Sequence, residues 1–274
     1  MMTSKEFIEK LNLALNSNTM YILGCFGAPM NDKNKIRYTS NYPENGKEIE
    51  VVKGRDAYGR PIVVKERTKQ GEERYKKIMA APADLFGFDC VCLGKGCLWG
   101  WSADPKRPYG GAGYACNNVP DVSANGMITK LCYEVSTDFS KIVPGEVVWM
   151  DGHVGYYVGN GEVIECTSAW ESKVLKSNLG NLGFKTGHWR TWTKHGKLKV
   201  VDYGDSKPET IKPAPQETNE IGKRTYKVKK GDTLSKIAKD YNTTVERIVA
   251  DNVKSHKSLA TNPNLIYPNW VLKV

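Results

Sequence analysis

The chain has no run of 18 apolar residues, which excludes a membrane-spanning helix. Its first residues carry no apolar h-region, so it is expected to be made in a cytoplasm without a Sec signal. Thr3-Ser-Lys-Glu6 reads instead as a capping box, opening a helix with Phe7, Ile8, Leu11, Ala14 and Leu15 on one face. Histidine is scarce, at 153, 188, 195 and 256 only. Zinc-finger spacing is missing and nothing resembles a helix-turn-helix, so nucleic acid is not an expected partner. The seven cysteines are odd in number and scattered at 25, 90, 92, 97, 116, 132 and 166. Small secreted disulfide frameworks are denser and even-numbered, which points to reduced thiols here.

What is present is a long, aromatic-rich, basic chain. Its 274 residues allow one large core plus something small. Seven Trp and fourteen Tyr within 40% apolar content support a packed globular protein. A net charge of +10 points to an anionic partner. The clearest boundary is 205–224, DSKPETIKPAPQETNEIGKR, with three prolines, many charges and no aromatic residue. It reads as a solvated linker between a domain at 1–204 and a small one at 225–274.

In the larger domain, residues 18–28 suggest a short buried strand and a Gly turn. Residues 47–67 suggest a surface hairpin turning at 56–61. A short helix is expected from Cys90 to Trp99. Gly94 and Gly96 each cost it about 1 kcal/mol against alanine, tolerable only if the helix is buried and something approaches it closely. After Gly145 come strands: EVVWM, HVGYYV and EVIECT, punctuated by Asp151-Gly152 and Gly159-Asn-Gly161. The fold class is therefore α+β, with helices first and an antiparallel meander after.

The stretch FDCVCLGKGC places three cysteines at 90, 92 and 97. As metal ligands they lack the second close pair that structural zinc sites show, and neighbouring disulfides do not suit a reduced compartment. As a nucleophile, one of them needs a base elsewhere. His153 opens a strand directly after a tight turn, where a side chain is held rigidly yet stays accessible. His188 and His195, in a Trp- and Lys-rich tail, read as surface residues. If Gly159-Asn160-Gly161 is a three-residue loop, Val158 pairs with Glu162, and Glu165 falls on the face of His153. A two-residue turn would put Glu165 on the other face.

These residues resemble the NlpC family of papain-like cell-wall peptidases. Asp89-Cys90-Val91-Cys92-Leu93 occupies the place of its Asp-Cys-Ser-Gly-Leu motif, and His153 to Gly161 that of its histidine strand. The resemblance, which covers roughly 80–200, implies a papain-like fold with Cys90 as nucleophile, His153 as base and Glu165 as the orienting residue. Val91 and Cys92 depart from the motif, and Glu165 stands where a histidine is common. Tyr21, in YILGC, is similar to a family tyrosine near the oxyanion. Its distance from Cys90 makes 27–83 an insertion beside the cleft. Thiol chemistry then predicts a thiolate at rest, since a helix N-terminus and an imidazole both lower a Cys pKa. Cys92 and Cys97 are expected as core residues of that helix. Trp99, Trp101, Trp149 and Trp170 either line a substrate cleft or, as the better reading, pack in the core. The chemistry calls for no cofactor and no metal.

Residues 226–274, YKVKKGDTLSKIAKDYNTTVERIVADN…NPNLIYPNWVLKV, resemble a LysM module across their length. The pattern reads as βααβ, with Leu234, Ile237, Ala238, Val245, Ile248 and Val249 buried. The resemblance implies binding of N-acetylglucosamine-containing glycan. One side of the groove would be Gly231, Asp232, Thr233 and Leu234; the other would be Asn264, Leu265, Ile266 and Tyr267. Asn269-Trp270, where Gly-Gln is usual, and the long loop 255–261 depart from the pattern. Nine Lys/Arg against four Asp/Glu in 226–274 also favour anionic wall polymers.

Taken together these readings anticipate a peptidoglycan hydrolase of the phage endolysin or virion-associated lysin type. It would be a cysteine endopeptidase acting on stem or cross-bridge peptides, and would not insert into a membrane. An N-acetylmuramoyl-L-alanine amidase and a non-catalytic wall-binding protein are the alternatives.

Overall fold

Thr3 starts the first helix as a reciprocal capping box with Glu6, and α1 (Ser4–Leu15) buries Phe7, Leu11 and Ala14. The structure is a computed structural model and describes residues 1–184, 187–204, 225–229, 231–241, 243–260 and 266–274. The expected linker at 205–224 lies outside them. The chain divides into two compact units, Met1–Pro213 and Ala214–Val274.

In the larger unit, β1 (Thr19–Tyr21) and β2 (Phe26–Pro29) flank β5 (Phe86–Phe88) in a three-stranded sheet, β1 parallel and β2 antiparallel to it. Between β2 and β5 run α2 (Asp32–Asn41), the hairpin β3 (Ile49–Arg55) and β4 (Pro61–Glu66), and α3 (Lys69–Ala80). The hairpin is where the sequence placed it. This segment has its own small core, in which Tyr38 and Ile78 meet Ile22, Cys25, Met30 and Leu85. Directly after β5 comes α4 (Cys90–Leu98), every residue of which is buried.

A seven-stranded sheet forms the rest of the unit. Its strands are β6 (Cys132–Ser136), β7 (Val147–Met150), β8 (His153–Gly159), β9 (Glu162–Cys166), β10 (Val174–Leu179), β11 (Trp189–Arg190) and β12 (Lys194–Leu198). Their order is β11-β10-β9-β8-β7-β12-β6, antiparallel throughout except for β10 with β11. The α+β class and the meander are as expected. Helix α4 packs on β8 and β9, with α1 also against it, so the first residue of α4 meets the start of β8.

The β8–β9 register decides which side chains share a face. The turn holds two residues, Asn160 and Gly161, with φ of 53° and 75°, and Gly159 pairs with Glu162. This corrects the three-residue loop. The register then shifts by one: Val163 pairs with Tyr157 and Ile164 with Tyr156, leaving Val158 as the extra residue of a bulge. The bulge restores the parity that the longer loop would have given. Glu165 and His153 share a face after all.

The smaller unit runs β13 (Thr225–Lys227), α5 (Leu234–Asp240), α6 (Val245–Asn252) and β14 (Val271–Lys273), with β13 and β14 antiparallel. This is the βααβ order read from the sequence, with a shorter last strand. Val228, Leu234, Ile237, Ile248 and Leu272 fill its core. Among the described residues no helix is long and apolar enough to cross a membrane.

Candidate active site

Asp89 caps α4, its Oδ1 accepting from the Cys92 amide at 2.7 Å. Its Oδ2 accepts from the Gly24 amide at 2.8 Å. One carboxylate thus fastens both the helix start and the turn after β1. The two helix glycines are required by close approach: a Cβ on Gly94 would sit 2.2 Å from the Tyr156 hydroxyl, and one on Gly96 2.9 Å from the Phe26 carbonyl oxygen. Cys90, the first residue of the helix, is 7% exposed and lines a cleft of about 600 Å³. Tyr21, Phe26, Trp99, Tyr109 and Gly152 share that lining. The Cys90 sulfur faces the amide of Val154, the residue after His153.

The His153 imidazole places Nε2 2.7 Å from Glu165 Oε2 and stacks on Trp192, with planes 12° apart. Glu165 is fully buried, and its carboxylate is saturated. Oε1 accepts from Ser177 Oγ at 2.5 Å, while Oε2 also accepts from Arg190 Nε at 2.7 Å. Arg190 Nη2 continues to Thr167 Oγ1 at 2.9 Å, and its guanidinium lies over the exposed Trp170 ring. Burial alone would raise the Glu165 carboxyl, but the hydrogen bond and charge of His153, with Arg190 and Ser177, hold it below its ordinary value. A carboxylate held ionised beside an imidazole fixes the ring and leaves Nδ1 for chemistry.

Tyr21 ends β1 opposite Phe88, two residues before Cys90, and carries the Arg74 guanidinium over its ring at 4.9 Å. Burial, then the neighbouring Cys90 and Asp89, push its phenol above the ordinary range, so it stays an O–H donor. Cys90 and Tyr21 line the cleft together, and the Cys90 sulfur meets the strand that His153 opens. The His153–Glu165 pair packs with Trp192, on the sheet face that carries Tyr157 and Val163.

Several expectations fail here. Burial, reinforced by Asp89, pushes the Cys90 thiol up to about 12 against the opposing amides of Val154 and Val91. The resting group is a thiol, not a thiolate. His195 is not a surface residue: it is 2% exposed, with Nδ1 on Glu146 Oε2 and Nε2 3.1 Å from the Asp138 carbonyl oxygen. His188 is partly exposed and stacks on Trp170. Cys92 and Cys97 are buried, and so are Trp99 and Trp101, whereas Trp149 is half-buried and Trp170 exposed. All seven cysteines are unpaired, and no metal-binding group occurs among the described residues.

Sequence reasoning missed Arg190, Ser177 and Asp89 as parts of the site. Asp89 was quoted only as a motif letter. Arg190 was hidden in the same Trp-rich stretch as His188, and only the strand order brings it to Glu165.

In the smaller unit, Asp232 accepts from the Tyr226 hydroxyl at 2.6 Å and the Lys229 amide at 2.8 Å, fastening the turn at Gly231. Thr233 accepts from the Lys236 amide at the start of α5. Leu234 turns its side chain into the core. Ile266 is half-buried and Tyr267 exposed; Asn264 and Leu265 lie outside the described residues. The two departures from the usual pattern meet, because His256 of the long loop stacks on Trp270 with centroids 4.0 Å apart.

Residues 226–274 match the LysM domain. The LysM unit is a peptidoglycan-binding module, so the chain carries a means of associating with cell wall. Neither curated proteins nor solved structures gave a match.

Proposed function

We propose that this chain is a peptidoglycan hydrolase. Its larger unit would be a papain-like cysteine endopeptidase of the NlpC type, and its LysM unit would hold it on glycan. The observation that supports the reading is Cys90, at a helix N-terminus on a cleft, facing the Val154 amide of the strand that His153 opens. The wall-binding module supports the substrate class.

In this mechanism His153 Nδ1 removes the Cys90 proton as the sulfur attacks the carbonyl carbon of a wall peptide. A thiol pushed up by burial makes this concerted general-base step necessary, because no standing thiolate supplies the nucleophile. The oxyanion is met by backbone N–H groups at the start of α4 and by the Tyr21 hydroxyl. His153 returns the proton to the leaving amine. Water, activated by the same imidazole, then hydrolyses the thioester. Glu165 steadies the imidazolium at each stage without itself being protonated.

The cleft floor favours a second reading. Phe26 stacks on Tyr109 at 4.4 Å, with Trp99 and Tyr114 adjoining, and aromatic faces also suit a pyranose ring. N-acetylmuramoyl-L-alanine amidase action would place a sugar beside the scissile bond. Muropeptide products separate the two. New L-Ala amino termini mean amidase; any other new termini mean endopeptidase.

A further inference from the structure

Segment 27–83 is a wall of the same cleft, and its charge is unbalanced. Tyr38 and Thr39 anchor α2 by burial, which turns the exposed Arg37 to the cleft lining beside Tyr109. The Arg37 guanidinium donates through Nη1 to the Tyr109 hydroxyl and lies 5.3 Å from the centre of that ring. It also lies 5.7 Å from the Tyr38 ring. These contacts fix its position and leave its charge uncompensated.

The other charges of the lining are matched. Lys95 is paired with Asp121 and donates to the Val122 carbonyl at 2.9 Å. The second oxygen of Asp121 accepts from the Tyr114 hydroxyl at 2.9 Å. Asp89 spends both oxygens on backbone amides. Among the described residues Arg37 forms no ion pair with a carboxylate. A held guanidinium with free N–H donors, on a cleft that carries a nucleophile, fits a planar anion.

We propose that Arg37 is the receptor for a free carboxylate on the peptide substrate, and that segment 27–83 is built into the cleft wall to present it. This rests on the peptide-hydrolase reading and adds the substrate class to it: wall peptides with an ionised carboxylate near the scissile bond, in preference to their carboxamide forms. That carboxylate is either a side-chain group of the stem or its C-terminus, since both offer the same fork of oxygens.

The test uses the full chain carrying Cys90→Ala, which binds without turnover, and three synthetic probes. These are a stem peptide, its side-chain carboxamide form and its C-terminal carboxamide form. Calorimetry should show one amidation weakening binding by about tenfold to a hundredfold, the scale of a charge-assisted hydrogen bond. Whichever amidation does so names the source. Adding Arg37→Met should bring that ratio to about one, and Arg37→Lys should keep part of it. If neither amidation matters, if the ratio survives Arg37→Met, or if no probe binds, the inference is overturned. The amidation arms need no variant at Arg37, so a misfolded Arg37→Met protein leaves the test intact. Incubating the same probes with the unmutated chain reads the hydrolase separately. Preference without cleavage removes the hydrolase and keeps the receptor; cleavage without preference does the reverse.

Discussion

Glu165 carries more bonds than a carboxylate steadying one imidazole requires. Arg190 and His153 share one oxygen, so the arginine both fixes the carboxylate plane and draws off part of its charge. Arg190→Met should lower turnover by about tenfold and stability by roughly 1.5–3 kcal/mol, as for loss of a charged hydrogen bond, read by wall-lysis rate and urea unfolding. The sign of the pH dependence follows from the depressed Glu165 carboxyl. Its stabilisation is complete above its ordinary 4.5 and is lost as pH falls through the lower folded value. The stability gap between wild type and Glu165→Gln should therefore be large at pH 7 and shrink below 4.5. Cys90 gives a second residue-level outcome. Iodoacetamide labelling of its peptide, followed by mass spectrometry, should be slow at neutral pH and rise only above pH 9; fast labelling at pH 6 would restore the thiolate. Cys90, His153 and Tyr21 stand out in the sequence because each sits in a short local motif. Arg190 and Ser177 do not, because nothing local tells which strand lies beside β9.

At the scale of elements, α4 is the part whose sequence was most informative. Two glycines in a nine-residue helix announce a close neighbour, and Tyr156 and Phe26 are those neighbours. Gly94→Ala would force a methyl into the Tyr156 ring and should cost about 1–3 kcal/mol. Because α4 carries Cys90, lysis should fall with stability, which thermal melting and activity on the same preparation can follow together. The β8–β9 hairpin teaches the opposite lesson. Its turn type was misread, yet the face of Glu165 came out right, because a one-residue bulge at Val158 compensates for the shorter turn. Bulges answer to tertiary packing: Gly161 is pressed against the Phe184 ring, where a Cβ would lie 2.1 Å away. The burial of His195 was unreadable for a similar reason, since its partner Glu146 precedes a different strand.

On the scale of the whole molecule, the LysM unit was legible almost end to end. Its core side chains all come from the 49 matched residues, and its two strands are the first and last elements of the match. Segment 27–83 was the least legible, because its meaning depends on a cleft assembled from distant strands. The excess of basic residues belongs to this scale as well. With +10 overall, retention of the full-length Cys90→Ala protein on purified walls should weaken as salt rises from 0.05 to about 0.5 M, where screening shortens to a few ångströms. Pelleting assays across that range check it; salt-independent retention would assign binding to the glycan groove alone.

The central claim is that one sulfur, at Cys90, breaks bonds in the wall. Mass spectrometry of muropeptides released from purified peptidoglycan by the full-length chain and by its Cys90→Ala form tests it most directly. New amino termini should appear with the first protein and not with the second, while both still pellet with the wall. Equal release by the two would contradict the account.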